Sequence, residues 1–244
     1  MRVGVYIDGF NLYYGARRLC GRGTTGWRWL DLRALGQSLL TGPGIGWSAA
    51  TIHRVVYCTA RVSGRDNPAG QRDQDTYLRA LVAHGSIDEL AMGTYVSRVA
   101  TAPLAVEDRK KRPVLTRAAW PVMVRDAAGG DVPDATFMAS IARREEKGSD
   151  VNVASHVLID VLEGHVDAAI VVSNDSDLAF PLQYIRGRVP MGLVNPTPGY
   201  PAGALNGDAS DGVGGHWWHQ LSDVEVKAAQ LPATVGRLTI PSGW

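Results

Sequence analysis

The chain has 244 residues, of which 45% are hydrophobic, enough for one substantial core, and its formal charge is +1 at pH 7. Near-neutrality excludes a global pull toward nucleic acid or anionic membrane, so any such attraction has to come from local clusters. Two cysteines, Cys20 and Cys58, are too few for a disulfide framework or a thiolate zinc site and point to a reducing cytosolic setting.

The opening MRVGVYIDG is interrupted by Asp8 before it reaches the length of a secretory apolar core, so it is expected to be mature structure. No stretch approaches the ~18 uninterrupted apolar residues of a membrane span. The expectation is a soluble, cytoplasmic protein without a membrane partner. VGVYI (3–7) has the near-continuous apolar character of a strand buried on both faces, and FNLYYGARRL after it has helical spacing. TIHRVVYC (51–58) predicts a second strand, and QDTYLRALVAHG (74–85) a helix that stops at Gly85. From about 86 to 142 the rhythm changes. GTYVSRVA, PVLTRAAWPVMVRD and ATFMASIARRE look extended, with a turn signal at 128–131, and predict an inserted or edge β element.

The α/β alternation then resumes. DVNVASHVLIDVLEG (150–164) places Val153, Val157, Val161 and Leu162 on one stripe, and DAAIVV (167–172) is a third strand. DLAFPLQYIRG (177–187) predicts a helix with Pro181 in its first turn, and RVPMGLV (188–194) a fourth strand. The Gly- and Pro-rich stretch 195–216 reads as loop, and the tail after HWWHQL has no clear period. The expected organisation is an α/β fold with a central parallel sheet flanked by helices. Residues 1–195 would form the domain, with the β insertion at about 86–142, and 196–244 a loop and tail packing on it.

In open parallel sheets, functional groups collect beyond the carboxyl ends of the strands. Asp8 closes the first strand, with Asn11 three residues on, and Asp175 and Asp177 follow DAAIVV. Asp150 opens the long helix, and Lys147 lies just before it. Each has a plain structural alternative. Asp150 and Asp177 would serve as helix N-caps, worth ~1 kcal/mol each, and Asn11 as an ordinary first-turn residue. If Asp8, Asp150 and Asp175 converge, two carboxylates ~4 Å apart repel by roughly 4 kcal/mol at an effective dielectric near 20. A hard cation removes that cost, and an oxygen-only donor set favours Mg2+ or Mn2+ over zinc.

DGFN (8–11), EKGSDVN (146–152) and SNDSDL (173–178), in this order and spacing, resemble the NYN domain, a branch of the PIN-like nuclease superfamily, in its bacterial LabA-like members. The resemblance runs from residue 1 to about 195; the Gly-rich 206–215 stretch departs from it. It implies a PIN-like sheet and a metal-dependent ribonuclease acting endonucleolytically on single-stranded RNA. By position Asp8, Asp150 and Asp175 would hold Mg2+ or Mn2+, with Asp177 as a fourth acid. Asn11 would contact the phosphate or orient Asp8, Ser173 would support the site, and Lys147 would meet phosphate or offset an acid.

RNA has further candidate contacts. Arg109, Lys110, Lys111 and Arg112, with Arg117, lie in DRKKRPVLTR, either a grip on the backbone or a solvated loop. Tyr13 and Tyr14 would stack on bases or cover helix surface, and Arg17 and Arg18 on the same helix would face phosphate. Trp217 and Trp218 are expected as packing anchors, and His216 and His219 as structural residues rather than metal ligands. The insertion offers a surface for a homodimer. Two rival functions use the same acids. A haloacid-dehalogenase-type phosphatase needs a second Asp two positions after Asp8, where this chain has Phe10; a non-catalytic RNA- or protein-binding domain needs no turnover at all.

Overall fold

Strand β1 (Arg2–Asp8) is buried from Val3 onward, and helix α1 (Gly9–Cys20) follows without a loop because Asp8 caps it, accepting from the Phe10 and Asn11 amides. This computed structural model describes the chain apart from residues 43–45, 48, 66, 111, 116–123 and 137 and the side chains of residues 97, 142 and 144. Helix α2 (Leu32–Leu40) has no counterpart in the sequence expectation; it is short, capped by Asp31, and buries Leu32, Leu35 and Leu39. Strand β2 (Thr51–Ala60) leads to α3 (Pro68–His84), which starts at Pro68 rather than Gln74 because Asn67 caps it and Pro68 fits the first turn. It ends at Gly85 in the left-handed conformation, as expected.

The middle segment is β structure: β3 (Glu89–Pro103), β4 (Ala105–Glu107), β5 (Pro113–Leu115) and β6 (Met138–Lys147). Its compact unit is Val96–Glu145, later than the expected start near 86, because the first part of β3 pairs with β2 through Val56↔Glu89 to Ala60↔Gly93. Next come α4 (Ser149–Leu162), β7 (Ala168–Val172), a single 3-10 turn at Ser176–Leu178 and α5 (Ala179–Arg186). Strand β8 (Met191–Asn195) starts after Pro190, shorter than the expected 188–194 run at its beginning. The tail supplies β9 (Trp217–Gln220), α6 (Asp223–Ala228) and the small hairpin β10 (Thr234–Val235) and β11 (Leu238–Thr239).

The central sheet has seven strands in the order β6-β3-β2-β1-β7-β8-β9. From β3 to β9 every pairing is parallel. Chain order therefore runs outward from β1 in both directions, first through β2 to β3 and then through β7 to β9, which is the doubly wound, Rossmann-like arrangement. Successive strand residues feed opposite faces. Val3, Val5 and Ile7 join Ile170 and Val172 against α1, α2, α3 and α6, whereas Tyr6, Val56, Ala169 and Val171 pack against Val153 and Val157 of α4 and Leu182 and Ile185 of α5. Both cysteines are free and buried. No helix among the described residues is long and apolar enough to cross a membrane.

Candidate active site at the switch point of the sheet

Where the winding direction reverses, β1 and β7 lie side by side, and the crevice beyond their carboxyl ends is where such sheets bind ligands. Asp8 ends β1 at that point and is only 3% exposed. Its Oδ1 accepts from the amides of Phe10 at 3.1 Å and Asn11 at 3.0 Å. Its Oδ2 accepts from Asn11 Nδ2 and from Ser173 Oγ, both at 3.0 Å. The Ser173 hydroxyl in turn accepts from the Asp175 amide at 3.1 Å, and the Asn174 amide donates to Asn11 Oδ1 at 3.1 Å. Thus DGFN and SNDSD, remote in the chain, are one hydrogen-bonded unit. Asn11 bridges its two halves rather than being a bystander in the first turn.

Burial pushes the Asp8 carboxyl up, and the nearby Asp175 charge adds to this, against the opposing pull of its hydrogen bonds. The same dry edge raises the Cys58 thiol to about 12, chiefly by burial and then through Asp8 and Glu89, so Cys58 is an inert core thiol. Two glycines make the approach possible. A Cβ on Gly9 would lie 2.8 Å from the Cys58 carbonyl oxygen, and one on Gly15 would lie 2.2 Å from the carbonyl oxygen of Pro196 in the loop after β8. That loop is braced by Asn174, which accepts from the Ala202 amide and donates to Thr197 Oγ1, and by Asn195, which accepts from Thr197. Asn174 lies in the SNDSDL block and Asn195 ends β8, but their bracing role is not visible in the sequence.

Asp175 caps the turn Ser176–Leu178 by accepting from the Asp177 amide at 3.0 Å, so Asp177 is not the cap; it is exposed. Asp150 is not an N-cap either. Gly148 occupies that position in the left-handed conformation, and Glu146 Oε1 takes the Ser149 amide at 2.9 Å, leaving Asp150 half-buried in the first turn of α4. A Cβ on Gly93, which pairs with Ala60 at the carboxyl end of β2, would lie 3.3 Å from the Ser149 amide nitrogen, so the start of α4 lies at the same edge of the sheet. Among the described residues, however, no three His, Cys, Asp or Glu side chains are gathered closely enough to hold a metal ion by themselves. Lys147 is exposed at the end of β6.

Tyr14 and Arg18 are exposed on α1, and Arg17 is half-buried. Arg109, Lys110 and Arg112 occupy the turn between β4 and β5, where Asp108 accepts from the Lys110 and Arg112 amides and pairs with the Arg112 guanidinium at 3.0 Å. Lys111 and Arg117 lie outside the described residues. Trp217 packs against Trp47 with ring centroids 5.3 Å apart, as an anchor should, whereas Trp218 is 46% exposed. His216 Nδ1 accepts from the Met191 amide at 3.0 Å, and His219 Nε2 lies 2.7 Å from Glu225 Oε1. Each histidine has a hydrogen-bond partner within the fold, and the acidic partner of His219 is one that the sequence spacing does not reveal.

Fold and site together define a doubly wound α/β protein with the buried Asp8, hydrogen-bonded to Ser173, at its switch point. No family profile matches the chain. It is 33% identical over 267 aligned positions to 6-hydroxy-3-succinoylpyridine 3-monooxygenase HspA of Pseudomonas putida, covering all of this chain and 75% of that protein. The chain belongs to the family of that protein. Among solved structures, a protein of unknown function from Vibrio parahaemolyticus is similar with a TM-score of 0.43 and 14% identity, over 91% of this chain and 93% of the other.

Proposed function

We propose that the protein is a Mg2+- or Mn2+-dependent ribonuclease of the NYN type with a PIN-like sheet, cutting within single-stranded RNA. The observation that carries this reading is the coupling of Asp8 to the Asp175 turn through Ser173 at the switch point, with Asp177 and the start of α4 at the same edge. The donor set is oxygen only, which suits a hard cation. Magnesium is commonly held by one or two carboxylates plus water and substrate phosphate, so the absence of a three-acid group among the described residues is compatible with it. One or two of Asp150, Asp175 and Asp177 would supply direct ligands, with water and substrate phosphate completing the shell. All four lone-pair positions of Asp8 are engaged, so it would bind through water or after the Ser173 hydroxyl turns aside. When bound, the cation would hold a phosphate oxygen, acidify water and offset charge developing on phosphorus. The chain's own part is to fix Asp8 with four donors, to hold the Asp175 turn in register through Ser173, and to place Asn11 where it keeps the two strands' ends together.

A second reading is favoured by the 33% identity across the whole chain: oxygenation of a hydroxypyridine, as the name of the P. putida relative states for that protein. Inserting one atom of dioxygen and reducing the other to water requires a two-electron reductant, typically a nicotinamide or flavin. In dinucleotide-binding sheets the first strand is followed by a Gly-rich G-x-G-x-x-G turn, with pyrophosphate at the helix N-terminus. Here the turn reads DGFN and the α1 N-terminus is already capped by Asp8, a carboxylate that repels an anion. The hydrolytic reading therefore comes first.

One experiment separates the two. Labelled single-stranded RNA is incubated with the protein and Mg2+ or Mn2+, and dioxygen uptake is followed separately with 6-hydroxy-3-succinoylpyridine and reduced nicotinamide or flavin. RNA cleavage is expected, with losses on the order of 100-fold or more in Asp8→Asn and Asp175→Asn. Unchanged cleavage in both variants refutes the site, and oxygen uptake without cleavage establishes the second reading.

A further inference from the structure

The side of α1 away from the core carries a run of rings. Its core residues are Leu12, Ala16 and Cys20. Elsewhere on the helix, Phe10 stacks with Tyr14, centroids 6.4 Å apart at 30°, and with Tyr95 of β3, 6.5 Å apart at 26°. Tyr13 meets Tyr14 edge-on at 5.3 Å and itself leans on buried Trp27 at 5.5 Å. Tyr14 is therefore held by rings on two sides and still 48% exposed. A ring fixed in this way has already given up rotamer freedom while keeping about half of its surface open, which favours binding a planar partner.

The position of the run adds to this. It begins two residues after Asp8, and Arg17 and Arg18 stand in the last turn of the same helix, about 12 Å further along at 1.5 Å per residue. Carboxylates at one end, ring faces between and cations at the other end match a strand whose bases stack and whose phosphates need neutralising. Bases already stacked in a duplex have no free face to offer, whereas unpaired bases do, whatever their identity.

We propose that Phe10, Tyr14 and Tyr95 form a stacking platform for unpaired bases of single-stranded RNA beside the Asp8–Asp175 edge, with Arg18 on the phosphate backbone. This rests on the ribonuclease reading and adds to it a base-binding subsite, ring faces on α1 and β3 that take unpaired bases with little regard to sequence.

The test uses the full chain, EDTA to prevent cleavage, and fluorescence anisotropy with a short labelled RNA and a matching oligonucleotide that keeps the backbone but lacks the bases. Tyr14→Ala and Tyr95→Ala should each weaken RNA binding by roughly 5- to 150-fold, the range expected for one stacked base. Neither should alter affinity for the abasic strand, and Tyr14→Phe should bind as wild type does. Thermal melting confirms that the variants are folded. The platform is refuted if wild type binds both strands equally or if Tyr14→Ala binds RNA unchanged; when wild type also cleaves RNA with Mg2+, the ribonuclease reading survives that result. If wild type neither binds nor cleaves RNA, both ideas fall. Should 6-hydroxy-3-succinoylpyridine bind instead, and lose affinity in Tyr14→Ala, the rings serve a free heterocycle and the RNA proposal is overturned.

Discussion

Asp8 does two jobs with one carboxylate. As the cap of α1 it satisfies two amides that the helix leaves open, and as the end of β1 it ties down Asn11 and Ser173. The cost shows in its titration. Because burial raises its pKa, the folded protein holds the Asp8 proton at pH values where the unfolded chain has released it. Stability from this group is complete below the ordinary Asp range, falls as pH rises through the elevated value, and levels off above it. In EDTA, the melting temperature of wild type relative to Asp8→Asn should therefore decline as pH rises from about 4, the model-peptide Asp value. At pH above the transition, Mg2+ should raise the wild-type melting temperature more than it does in Asp175→Asn, since a cation bound to the folded state stabilises by mass action. A melting difference that does not change with pH, or an equal Mg2+ effect in both proteins, would contradict this account of the crevice.

At the level of elements, α1 is shaped by what passes over it. Gly15 lies mid-helix, where glycine ordinarily costs about 1 kcal/mol relative to Ala, and the reason is the Pro196 carbonyl, which occupies the space a Cβ would need. Gly15→Ala should therefore destabilise, although it raises helix propensity, by about 1–3 kcal/mol or roughly 2–12 °C in melting temperature. A stabilised variant would mean that the loop after β8 yields easily. The starts of the helices show how local signals compete. By residue type Asp150 is the expected cap of α4, but Gly148 takes the left-handed position and Glu146 reaches forward to the Ser149 amide, freeing Asp150. Asp177 is the expected cap of the helix after β7, but Asp175 captures its amide. In both cases a neighbouring residue takes over the capping that the acid was expected to supply. Helix α2 leaves little trace in the sequence because its nine residues bury only a narrow stripe and depend on Asp31 and on packing against β2.

For the whole molecule, both apolar clusters are drawn from outside Val96–Glu145, on either side of a sheet centred on β1 and β7. Replacing 96–145 with a short Gly/Ser turn should leave a cooperatively melting protein. If Arg109, Lys110 and Arg112 hold RNA, the same replacement should flatten the salt dependence of binding, by about 0.7 in slope for each single-strand phosphate that is no longer neutralised. Failure to melt cooperatively would show that the insertion is part of the core. The strands are legible in the sequence because residues buried on both faces are mostly apolar, as in VGVYI and AAIVV and, with Arg54 at its start, RVVYC. That alternation of strand and helix, and the acids at strand ends, follow from local chemistry alone. Strand order does not, since winding outward from β1 and adding β9 from a Gly-rich tail depend on contacts between residues far apart in the chain. Tertiary structure alone decides that Ser173 reaches Asp8, that Asn11 bridges to Asn174, and that Tyr95 meets Phe10, because side-chain convergence is set by how elements pack and no local pattern encodes it.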